Sequence, residues 1–102
     1  MTEAPILLPE AKADVADAYL WYEDQSFGLG MEFLRCIEIG LLAIQRNPFS
    51  YSMVHESYRR ALVRRFPFAI FFEFDLDQNR CVVYSVLHCS QDPAKWRGRL
   101  PL

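Results

Sequence analysis

Four arginines fall within seven positions, Arg59, Arg60, Arg64 and Arg65, and they form the densest cluster of chemistry-bearing side chains in the chain. A guanidinium stays charged at any working pH and presents a planar fork of donors, so such a cluster suits an anionic partner, a phosphate backbone or an acidic peptide. The plain alternative is that arginines at a strand edge keep it soluble and unpaired. Proton transfer beside those cations would need an acid or a base, and few are at hand. His88 ends an apolar run, His55 lies in a connector, and Tyr84 sits mid-strand where core packing is the ordinary reading. For His88, a strand-end cap bonded to Asp92 or to a backbone carbonyl outweighs catalysis, because one imidazole with a single partner makes neither a triad nor a metal site. Trp96 reads as an anchor for a polar tail before it reads as a stacking platform. No glycine-rich phosphate loop, nucleophile elbow or metal-ligand spacing is present in the sequence. Cys36, Cys81 and Cys89 are odd in number and lack Cys-x-x-Cys spacing, so buried or half-buried thiols are expected, with no cofactor and no metal.

The formal net charge of -2 conceals a division along the chain. Residues 1–58 carry three basic side chains against nine acidic ones, giving -6, whereas residues 59–102 carry eight basic against four acidic, giving +4. One end of the molecule is therefore suited to anions although the whole is mildly acidic. With 102 residues, 52% of them hydrophobic and 24% charged, the chain is expected to form one globular domain spanning residues 1–102, with one core. No apolar run reaches the length of a membrane span, and the first residues lack a secretory signal, so a cytoplasmic address is expected.

Three runs must position the arginines and His88. They are Arg59–Arg65, Phe68–Asp75 and Arg80–His88, each rich in aromatic and β-branched residues and bounded by Pro, Asp or Asn. This pattern predicts an antiparallel meander. Alternation places Phe68, Ile70, Phe72 and Phe74 on one face, Arg60 and Arg64 together on one side of the first strand, and Arg59 and Arg65 on the other. An exposed Arg65–Glu73 pair across the Phe66-Pro67 hairpin would be worth about 0–1 kcal/mol and carry no functional meaning.

Ile6-Leu7-Leu8 suits a brief added strand. Pro9 then opens a helix of about four turns with Ala11, Val15, Ala18, Tyr19 and Tyr22 at helical spacing. Gly28 ends the turn that follows, and a second helix carries Leu29, Phe33, Ile37, Leu41 and Ile44 until Asn47-Pro48 stops it. Gly40 inside that helix points to close packing. Residues 49–58 show no period and read as an irregular connector. The fold class is α+β: an N-terminal strand and a helical hairpin packed on a twisted antiparallel sheet of three to four strands.

Taken in order, Trp21-Tyr22-Glu23, Gly28-Leu29-Gly30 with Phe33, Ile44 with Asn47-Pro48, Tyr58-Arg59-Arg60, Arg65-Phe66-Pro67-Phe68 with Ile70 and Phe72, and finally His88, Asp92-Pro93, Trp96 and Arg99 cover nearly the whole chain. In these residues the sequence resembles the RelE/ParE superfamily of bacterial type II toxin–antitoxin toxins, in particular the ParE-like plasmid-stabilisation branch. The resemblance implies a small cytoplasmic toxin held inactive by a cognate antitoxin whose C-terminal segment wraps the helical hairpin and the sheet. ParE-like members poison DNA gyrase, whereas RelE-like members enter the ribosome and cut mRNA.

Cleaving RNA through its own 2′-hydroxyl needs a base, an acid and cations for the developing phosphate charge. A ribosome-dependent endoribonuclease would have to rely on Arg60, Arg65 and His88. RelE-like members also use a tyrosine near the C-terminus, where this chain has Trp96-Arg97-Gly98-Arg99. The expectation is thus a growth-inhibiting binder of DNA gyrase, with Arg59, Arg60, Arg64, Arg65, His88, Asp92, Trp96 and Arg99 on its target-binding surface. The alternatives are the ribosome and mRNA as target, or a non-toxic binding relative.

Overall fold

The computed structural model describes residues 2–91. Strands β1 (Ile6–Leu7), β2 (Met53–His55), β3 (Tyr58–Leu62), β4 (Phe68–Asp75) and β5 (Arg80–His88) form one sheet in the order β1-β5-β4-β3-β2. Helices α1 (Pro9–Gln25) and α2 (Leu29–Arg46) form a hairpin against one of its faces, and a single 3-10 turn covers Pro48–Ser50. The expected meander is β3-β4-β5. Two features differ from expectation. β1 joins β5 in parallel, since the chain leaves it directly into a helix, which makes the sheet mixed. The connector also holds a fifth strand, β2, whose register against β3 slips between Met53 and His55. Three residues with a slipped register leave no period to read.

The hairpin is set by one carboxylate. Glu23, near the end of α1, accepts the N–H of Gly28 at 3.0 and 3.1 Å through its two oxygens, and the N–H of Gly30 at 3.0 Å. It thereby satisfies amides that the start of α2 leaves unpaired and places negative charge at that helix's N-terminus. Gly28 takes φ 87°, where a side chain would strain the turn. At Gly30 the helices nearly touch, for a Cβ there would lie 2.8 Å from both the ring and the carbonyl oxygen of Tyr19. Gly40 is close-packed as expected, its missing Cβ standing 3.2 Å from the Ile70 side-chain tip.

Phe33, Ile44, Ile70, Phe72 and Val83 are fully buried between hairpin and sheet. Tyr22, Phe33, Phe66 and Phe68 pack edge-on or tilted, with ring centroids 4.9 Å apart for Tyr22–Phe66 and 5.1 Å for Phe33–Phe68. Phe68, Ile70, Phe72 and Phe74 all join this cluster, as alternation requires. Alternation fails in β5. Phe71 opposes Ser85 and Phe72 opposes Val83, so Tyr84 is an extra, bulged residue. The bulge lets Cys81, Val83 and then Val86 face the helices, while Tyr84 and Leu87 face the other way. β1 covers β5 only at Val82 and Val83, and beyond it Asp14 of α1 accepts the Val86 N–H at 2.9 Å. Cys36 and Cys81 are buried and Cys89 is exposed. Among the described residues no helix is long and apolar enough to cross a membrane.

Candidate functional site

β3 ends at Leu62, before Arg64 and Arg65, so the four arginines do not divide two and two across a strand. Arg59 turns toward the helix side, donates to the Tyr51 carbonyl at 2.6 Å and lies 5.3 Å from the Phe49 ring centroid. There it holds the connector to the sheet. Arg60 shares with Tyr58 the sheet face that no helix covers. Arg64 and Arg65 stand in the β3–β4 loop, and Arg65 adopts φ 69°, a left-handed conformation uncommon for arginine. The expected Arg65–Glu73 pair is absent: Arg65 instead lies 3.5 Å from Glu32 on α2, and both side chains are exposed. Glu73 is taken by others. The left-handed turn carries Arg65 back over α2, out of reach of the sheet face that a continuing strand would have given it.

The loop makes a trough with α2, lined by Glu32, Arg35, Cys36, Ile39, Arg64 and Arg65. Arg35 was not among the residues singled out from the sequence. Its signal was its place off the Phe33, Ile37, Leu41 and Ile44 stripe, which marks it as outward-facing but says nothing of the loop beside it.

On the uncovered face, Glu73 accepts from the Ser57 hydroxyl through one carboxylate oxygen and from the Tyr84 hydroxyl, at 3.4 Å, through the other. The Tyr58 and Tyr84 rings meet edge to face at 5.3 Å. Burial, then the negative charge of Glu73 and the neighbouring Tyr58, push the Tyr84 phenol up to about 12. Burial and Glu73 also raise that of Tyr58. Tyr84 therefore holds its proton as a hydrogen-bond donor at neutral pH. Sequence reasoning missed this cluster because it read Tyr84 as core packing and Glu73 as a partner of Arg65, although alternation from Val82, which opposes Glu73, already puts Tyr84 on that face.

His88 faces the helix side. Its ring meets Phe68 at 5.3 Å, and Nδ1 accepts from the Ser90 N–H at 3.0 Å with the Ser90 hydroxyl 2.7 Å away. The local turn thus engages this ring nitrogen, and Asp92, the side-chain partner expected from sequence, lies outside the described residues. Around His88 run two adjoining grooves, one walled by Asp14, Asp17, Phe68 and Gln91, the other by Ala18, Trp21, Tyr22 and Phe68. Trp21 is exposed and Tyr22 is packed, so only the second behaves as a packing residue. Arg60 and His88 consequently lie on opposite sides of the sheet. Asp92, Trp96 and Arg99 fall outside the described residues. Among the described residues no group of three or more His, Cys, Asp or Glu side chains is arranged to hold a metal ion.

No protein-family model and no curated protein matches the sequence. Solved structures do match. The chain is similar to one from the chromosomal ParDE toxin–antitoxin system of P. aeruginosa, with 14% identity, 85% of this chain and 96% of that one covered, and a TM-score of 0.70. It is also similar to a chain of the RelBE2 toxin–antitoxin complex of Mycobacterium tuberculosis, at 13% identity, 86% and 99% coverage and a TM-score of 0.60. A third similarity is to an arginine double mutant of the E. coli toxin RelE in the free state, at 8% identity, 97% and 94% coverage and a TM-score of 0.64. At these identities the shared property is the arrangement of helices and strands, and by it this chain has the fold of the RelE/ParE toxins.

Proposed function

We propose that this chain is the toxin of a type II toxin–antitoxin pair, of plasmid-stabilisation type, acting in the cytoplasm by binding DNA gyrase and silenced by a cognate antitoxin. The observation that carries the reading is a whole-chain fold shared with such toxins, together with a cluster of exposed arginines that His88 does not join. Arg60, Arg64 and Arg65 are exposed or partly so, whereas His88 lies across the sheet from Arg60. This favours holding an anionic or polar surface over cutting a phosphodiester. The target-binding residues are taken to be Arg60 on the open face and Arg64 and Arg65 in the β3–β4 loop, with Arg59 as a support through Tyr51 and with His88, Asp92, Trp96 and Arg99 as further candidates. Replacing Arg60 and Arg64 by Ala and Arg65 by Gly should abolish growth arrest in a chain that still folds. Undiminished arrest by that variant would remove these arginines from the mechanism.

A second reading has its own observation. Arg60, Glu73 and Tyr84 share the uncovered face, which gives a cation, a carboxylate and a protonated phenol to a ribosome-dependent endoribonuclease. It requires mRNA cleavage that disappears in Glu73→Gln, and intact mRNA during arrest excludes it.

A further inference from the structure

Arg35, Arg64 and Arg65 meet around one trough although they come from two elements, α2 and the β3–β4 loop. All three are exposed, and the trough they line with Glu32, Cys36 and Ile39 measures about 470 Å³, a size suited to a small molecule. Arg65 lies 3.5 Å from Glu32, but Arg35 and Arg64 meet no carboxylate at ion-pair distance among the described residues. Three guanidiniums against one carboxylate leave the lining a formal surplus of positive charge. Arg65 joins them in a left-handed conformation, φ 69°, that glycine would adopt more readily. The local backbone is thus held in an uncommon state that adds a cation where two others are already uncompensated. An anion seated between the forks relieves that repulsion. The cationic cluster is also short. Beyond Ile39, α2 turns Leu42 outward, Glu38 stands with Leu42 in a separate groove, and Arg46 follows only about 16 Å from Arg35 along the helix axis.

We propose that this trough binds the di- or triphosphate group of a small organic molecule. Guanidiniums match phosphate oxygens two at a time, and three of them on facing walls suit a chain of phosphates better than a single one. Glu32 opposes such a ligand, and its engagement with Arg65 leaves Arg35 and Arg64 as the main anchors. Cys36 and Ile39 form an apolar floor that covers the organic part of the ester. No aromatic ring lines the trough, so a nucleobase gains no stacking there and the phosphates, not the base, set the affinity. A nucleic acid fits less well, because its phosphates repeat at every nucleotide whereas the cations of this trough do not continue along α2. The site goes beyond the toxin reading and does not depend on it.

The test is calorimetric titration of the whole chain, at fixed ionic strength, with inorganic tripolyphosphate, ATP, GTP, inorganic phosphate and a single-stranded oligonucleotide lacking terminal phosphates. Tripolyphosphate, ATP and GTP should bind with similar affinity, inorganic phosphate and the oligonucleotide more weakly, and the same ligands should raise the melting temperature in proportion. Binding should weaken about tenfold or more in Arg35→Ala combined with Arg64→Ala. It should tighten in Glu32→Gln, which removes the opposing charge, a gain that a merely structural role for these residues does not produce. Arg35 and Arg64 are exposed, so circular dichroism should report an unchanged fold in the double variant. Undiminished binding in that variant, inorganic phosphate or the oligonucleotide binding as tightly as tripolyphosphate, or no binding by the native chain would each overturn the proposal. Growth arrest is scored separately, so a chain that binds polyphosphate without arresting growth keeps the site and loses the toxin reading, and one that arrests growth without binding polyphosphate does the reverse.

Discussion

Glu23 and Tyr84 carry opposite lessons about single side chains. Glu23 is a lone carboxylate that organises a turn, with three hydrogen-bond contacts to two backbone amides of the α2 start. Glu23→Ala leaves those amides without their charged acceptor and should cost about 1.5–3 kcal/mol in denaturant unfolding, with Glu23→Gln recovering part of it. Tyr84 instead answers to pH. Its folded pKa of about 12 lies above the ordinary 10.0, and burial pushes the Cys81 thiol to about 11 from 9.0. Across pH 9–12 the unfolded chain therefore binds fewer protons than the folded one, so stability is intact below about pH 9 and falls as pH rises through that window. Thermal melts from pH 8 to 11 should show the fall, and Tyr84→Phe should flatten its upper part. An unchanged profile in that variant would mean that burial and Glu73 do not raise the Tyr84 phenol.

Two glycines in α2 separate packing from propensity at the scale of elements. Gly30→Ala puts a methyl 2.8 Å from the Tyr19 carbonyl oxygen, which belongs to a helix backbone and cannot swing aside. It should destabilise by about 1–3 kcal/mol. Gly40→Ala meets only the flexible tip of Ile70 at 3.2 Å, and the gain in helix propensity, about 1 kcal/mol, should offset most of the repacking. Calorimetry on both variants checks the order. The same elements show what the sequence revealed. Both helices, their Pro9 and Asn47-Pro48 boundaries and the aromatic face of β4 follow from spacing and from proline and glycine chemistry, which are local. What was hidden depended on partners distant in sequence. The bulge at Tyr84, the slipped three-residue β2 and the left-handed Arg65 each break a two-residue period at one position; the bulge turns His88 to the helix side, and the left-handed Arg65 reaches Glu32 on α2. The arginine cluster was visible, but its division among three surfaces was not.

For the molecule as a whole, the sheet separates two sides. One face is covered by the hairpin and has His88 at its rim, and the other is open and holds Arg60, Glu73 and Tyr84. Beyond the strand ends, the β3–β4 loop adds Arg64 and Arg65 to the outside of α2. The C-terminal half of the sequence is basic and the N-terminal half acidic, and the action by binding proposed above draws on that division. The most direct test of that claim is pulse labelling of DNA and protein synthesis in bacteria immediately after the chain is induced alone. The account predicts that DNA synthesis falls first while translation continues and mRNA stays intact. An earlier fall in translation, accompanied by mRNA cleavage, would contradict it and move the active site to the open face around Glu73 and Tyr84.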